Sequence, residues 1–126
     1  MKLGRIAEAT IDYVPEPFRN GEPDDPICVI RALTGLELEE IEEAEQRATA
    51  SKSVYGSIAA LRIATIKAGV ASVRGFEGAD GRPITKTEDF LSAVNTLDGK
   101  TRDAILSDLY TAVRDHAKLK EGERKN

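Results

Sequence analysis

At 126 residues and 13.7 kDa the chain has room for one domain with a modest hydrophobic core. A net charge of -4 and a pI near 5.1 exclude a nucleic-acid footprint built on a bulk excess of Lys and Arg. Apolar residues at 40% and charged residues at 32% set it apart from the disordered class, and its single cysteine excludes an internal disulfide.

The first segment alternates, with Ala7, Ala9, Ile11 and Tyr13 on one face and Glu8, Thr10 and Asp12 on the other. Period-two alternation predicts a half-buried strand. Val14-Pro15-Glu16-Pro17 ends it, because proline donates no ladder hydrogen bond. After a stretch of turn formers from Asn20 to Pro26, Ile27 to Leu33 reads as a second strand, antiparallel to the first. Within it Cys28 reads as a small buried hydrophobe.

Thr34 and Glu37 then spell a capping box, with Leu33 and Leu38 as its hydrophobic staple, so a helix starts here. Leu38, Ile41, Ala44 and Ala48 make a narrow apolar stripe. The remaining surface carries Glu37, Glu39, Glu40, Glu42, Glu43 and Glu45. A metal or catalytic carboxylate pair is one reading of that cluster. A solvated acidic face is preferred, because no His or Cys accompanies the carboxylates and their spacing spreads them around the helix. Between these stands a third reading, a face that meets a basic partner.

A second helix is predicted from Val54 to Val73, apolar most of the way round through Tyr55, Ile58, Leu61, Ile63, Ile66, Val70 and Val73, with alanines between. Such a helix belongs at the centre of a core or an oligomer interface. Arg62 and Lys67 interrupt it, which argues against a membrane span. Gly75 to Ile84 lacks both the P-loop ending and dinucleotide-site spacing, and Asp80-Gly81 predicts a short hairpin instead. Thr85 and Glu88 suggest a second capping box before a short helix with Phe90, Leu91, Val94 and Leu97 on one side. Asp98-Gly99 breaks it. The last helix is predicted from near Thr101 to about Lys118, with His116 at its surface or edge.

The resulting expectation is an α+β, mainly α domain over residues 1–126. A two-stranded β-hairpin (1–33) precedes about four helices (34–120), with a short hairpin within 74–84 and a flexible charged tail at 121–126. Chemistry is sparse. His116 is the only histidine, zinc sites need several His or Cys ligands, and no EF-hand spacing is present. No catalytic residue, metal or cofactor is expected, and the absence of a signal-peptide-like or membrane-spanning stretch reads as cytoplasmic.

Two stretches carry a family resemblance. One is Asp12-Tyr13-Val14-Pro15 followed by Val29-Ile30-Arg31-Ala32-Leu33-Thr34-Gly35-Leu36-Glu37 entering an acidic helix. The other is the order apolar helix, Gly75-Phe76-Glu77-Gly78, Asp80-Gly81-Arg82-Pro83, two helices and the terminal Lys125-Asn126. Together they resemble the small tail assembly chaperones of tailed bacteriophages and prophages, which often have Trp where this chain has Phe76. The resemblance implies a non-enzymatic protein of the host bacterial cytoplasm that binds the tape-measure protein and assists tail-tube assembly. The partners implied are a tape-measure-like helical protein, the tail-tube protein and a second copy, without nucleic acid or membrane. With that role the expected partner-binding residues are Glu39 and Glu43 on the acidic helix, Tyr55 and Ile63 on the apolar helix, and Phe76 in the turn. A bacterial regulatory adaptor with no phage role is the competing expectation.

Overall fold

Three strands, not two, make the sheet. The computed structural model describes residues 10–50 and 54–125, excepting the side chains of 54–57 and 118–125, so the predicted strand positions Ala7 and Ala9 lie outside the described residues. In chain order come β1 (Thr10–Tyr13), a 3-10 turn (Glu16–Phe18), β2 (Ile27–Arg31), α1 (Gly35–Ala50), α2 (Val54–Gly69) and β3 (Val70–Arg74). A small hairpin of β4 (Phe76–Glu77) and β5 (Pro83–Ile84) follows, then α3 (Thr87–Val94) and α4 (Gly99–Lys125). This is the expected mainly helical α+β architecture. Among the described residues no helix is long and apolar enough to cross a membrane.

The sheet is antiparallel in the order β1-β2-β3. Tyr13 pairs with Cys28 and Ile11 with Ile30, so the odd-numbered side chains of β1 share the core face with Cys28 and Ile30. The predicted helix to Val73 stops four residues early, at Gly69, and the chain continues as β3. Gly69 is where α4 comes closest: a Cβ there would lie 2.3 Å from a Val113 methyl. On β3, Val73 opposes Cys28 and Ser72 opposes Val29, but Ile30 opposes Val70. Ala71 is therefore the extra residue of a bulge, and Val70 and Val73, three apart, both reach the core.

The core between sheet and helices is aliphatic around one aromatic. Ile30, Ile66, Ile105, Leu109 and Val113 are fully enclosed with Phe90. α2 packs between α1 and α4, and α4 also crosses β2. The capping box at the start of α1 forms as predicted. The Thr34 N–H donates to Glu37 Oε1 (2.9 Å) and the Glu37 N–H donates to Thr34 Oγ1 (3.2 Å), over buried Leu33 and Leu38.

The second predicted box does not form. Thr85 stays extended because its carbonyl accepts the Val73 N–H at 3.1 Å, so α3 begins two residues later with Lys86 as an N-cap lacking a side-chain bond. Thr87 instead ties α3 to the sheet, its hydroxyl donating to the Val70 carbonyl at 2.7 Å. Asp98 does more than break a helix. Its carboxylate accepts the Thr101 N–H at 3.0 Å and caps α4, and the Thr101 hydroxyl first, with that N–H second, holds its pKa below the usual carboxylate range. α4 itself runs through the segment expected to be a tail, to Lys125.

Candidate partner-binding surface

α1 is the acidic element, and its six carboxylates divide into two kinds. Glu37 and Glu45 are used internally. Arg31 donates to both oxygens of Glu37, and this pairing first, with the Thr34 N–H adding to it, holds the Glu37 carboxyl below its usual range. Glu45 sits 3.0 Å from Arg114 of α4, a guanidinium with only 12% of its side chain exposed. The remaining four, Glu39, Glu40, Glu42 and Glu43, are exposed and make no ion pair among the described residues. The expected partner-binding residues Glu39 and Glu43 belong to this outward set.

α2 presents an unusual outer surface for an exposed helix. Thr65, Ile66 and Gly69 face inward, whereas Ala59, Ala60 and Ala64 are exposed and only Arg62 and Lys67 bring charge between Ile58 and Gly69. Beside this ridge lies a shallow groove of about 200 Å³ between α1 and α2. Ile41, Ala44, Leu61, Ala64 and Ala68 line it, and Glu37 and Glu40 stand at its α1 side. One helical turn before Glu40, Leu36 is 66% exposed, the most exposed large apolar residue among those described. Small side chains on both walls leave room for another backbone to come close.

Neither Glu39 nor Glu43 lines this groove, and Glu43 instead borders a separate depression with Gln46 and Arg47; Ile63 and Phe76 do not join the groove either. Ile63 is half-buried against the core and faces α3, lining a separate depression with Lys67, Glu88 and Leu91. Phe76 is an internal aromatic. Its ring stacks edge-on with Phe18 (5.2 Å between centroids) and tilted against Phe90 (4.8 Å), so it joins the 3-10 turn to α3. Gly75 makes this possible: its φ is +83°, and a Cβ there would lie 2.9 Å from Pro26 Cα. The Tyr55 side chain lies outside the described residues. Below Phe76 the hairpin closes through Gly81, at φ +79°, whose N–H donates to the Gly78 carbonyl at 2.9 Å. That geometry is a tight turn.

The polar interior holds what the sequence did not disclose. Asp108 of α4 accepts from the Tyr13 hydroxyl (2.7 Å) and the Glu16 N–H (2.8 Å), latching the end of β1 to α4. Burial, then Asp108, pushes the Tyr13 phenol up to about 12, so it stays a donor. His116 is 5% exposed, not at the surface or edge as expected, because it continues the Leu109–Val113 inner face of α4. Its Nε2 has no hydrogen-bond partner among the described residues. Cys28 is enclosed and burial raises its thiol to about 12, the inert state of a structural cysteine. Among the described residues no three His, Cys, Asp or Glu converge as a metal site. No protein-family model, curated protein or solved structure matches the chain.

Proposed function

We propose that this chain is a non-enzymatic assembly chaperone of a tailed phage or prophage, which binds a tape-measure-like helical protein and assists tail-tube assembly. The observation that supports the reading is the α1–α2 face. There an alanine-walled groove runs along a helix whose outward side is almost uncharged, with Glu37, held by Arg31, and Glu40, which has no ion pair among the described residues, at its α1 side. A long amphipathic helix must have its apolar stripe covered before assembly, and a groove of small residues accepts a helix by its i, i+3, i+4 anchors. Buried apolar contacts then set the lifetime of the complex, while Glu40 at the margin and the other exposed carboxylates of α1, Glu39 and Glu43, set encounter rate and orientation. The sequence resemblance supplies the biological setting and the groove supplies the mode.

The test is co-expression with the neighbouring tape-measure gene. The tape-measure protein is expected in the soluble fraction with this chain and in the pellet without it. Equal solubility and normal tails in its absence would contradict the assignment.

A further inference from the structure

A second concavity lies where α1, α2 and α4 converge, and it has a different chemistry. Its volume is about 350 Å³, within the range of small-ligand sites. Glu45 comes to it from α1, Leu61 and Arg62 from α2, and the hydroxyl residues Ser107, Tyr110 and Thr111 from α4. Charge in this corner is unbalanced. Glu45 is taken up by Arg114 at 3.0 Å, while Arg62 makes neither an ion pair nor a hydrogen bond among the described residues. Among the described residues that line the cleft, Arg62 is thus the one cation and has no partner there, and it is half-buried and so less screened than a surface arginine.

Hydrogen-bond donors are also in surplus. The Ser107 and Thr111 hydroxyls have no partner among the described residues, whereas burial first and then Glu45 beside it raise the pKa of the Tyr110 phenol. The Glu45–Arg114 pair is itself incompletely satisfied: Glu45 Oε1 is near Arg114 but not aligned as a hydrogen bond, and Arg114 Nη1 has no acceptor among the described residues. A planar fork of donors with adjacent hydroxyls matches a carboxylate, and Ile58, Leu61 and Ala48 offer apolar surface beside it.

We propose that this cleft binds a carboxylate carried on a short apolar body, with Arg62 as its anchor. The site does not rest on the helix-binding reading above. The carboxylate could belong to a free acid or to an acidic side chain of another protein, and the same experiment separates these sources. Isotope-labelled full-length chain is titrated with hexanoate, with an acetylated and amidated Leu-Glu-Leu peptide, and with hexanol and hexylamine as controls, and its amide resonances are followed.

Saturable shifts are expected with at least one carboxylate probe, at a dissociation constant of roughly 1 mM or tighter. They should centre on 45–49, 58–62 and 107–111. Tighter binding of hexanoate identifies a free acid, and tighter binding of the peptide an acidic side chain. Arg62→Gln should weaken binding about tenfold or more, as expected for a lost charge-assisted pair. Thr111→Leu, at an exposed position that fills the mouth, should do the same by exclusion. The proposal is overturned if neither carboxylate saturates, if hexanol or hexylamine produces the same shifts, or if Arg62→Gln binds like the parent chain, whatever Thr111→Leu does.

Discussion

Glu37 does three jobs with one side chain: it closes the capping box, accepts both prongs of Arg31 and sits over the Leu33–Leu38 staple. Its folded-state pKa is lowered, chiefly by Arg31, so its contribution is present above the unfolded value of about 4.3 and is lost as pH falls through the folded value. Glu37→Gln should cost about 1 kcal/mol at neutral pH, since glutamine can still cap but cannot pair as an anion. Melting temperatures of the two proteins should differ at pH 7 and converge at pH values well below 4.3, roughly the unfolded-state pKa. A difference that persists unchanged to low pH would contradict this role. The box itself was legible because both partners lie within four residues. The Tyr13–Asp108 latch was not, because 95 positions separate a tyrosine from an aspartate that look like ordinary strand and helix-surface residues.

At the scale of elements, the second helix is where sequence and structure part. Ile66, Val70 and Val73 recur at helical spacing, yet the last two lie on β3. The bulge at Ala71 makes a strand place residues three apart on one face, which imitates the helical period and hides the third strand. Likewise Thr85 and Glu88 carry the letters of a capping box, but the Thr85 carbonyl is committed to Val73, a tertiary contact that overrides the local signal. The better marker of the helix end was Gly69, for a steric reason. Gly69→Ala would drive its Cβ into Val113 and should destabilise by about 1–3 kcal/mol. Gly35→Ala, which meets nothing within 4 Å, should be neutral or gain about 0.4–1 kcal/mol. Urea denaturation of both variants checks the contrast, and equal effects would show that α2 and α4 are not in this close contact.

For the whole molecule, the periodicity from Thr34 onward was enough to identify the apolar helix as the organising element, and α2 does lie between α1 and α4. It was not enough to say which of its faces stays in contact with water, since a helix apolar all round carries no directional signal. The two sides should respond differently to charge. Ile66 is fully enclosed, so Ile66→Asp leaves an unpaired buried charge costing several kcal/mol against a total stability of roughly 5–15 kcal/mol. Circular dichroism and soluble yield should report its loss of fold. For the same reason the expected binding set was only partly gathered by the fold: Glu39 and Glu43 stay outward, whereas Phe76 is held between Phe18 and Phe90.

The central claim is that the α1–α2 groove receives a helix, and Ala64→Asp addresses it most directly, because Ala64 is exposed on the groove wall and can change without burying a charge in the core. The measurement is the affinity of purified parent and variant chains for a soluble synthetic amphipathic helical segment of the tape-measure-like partner, with melting temperature recorded on the same samples. The account predicts a loss of binding of about tenfold or more, from a charge placed in an apolar contact, with stability changed by no more than about 0.5 kcal/mol. Unchanged affinity in a folded Ala64→Asp variant would contradict it.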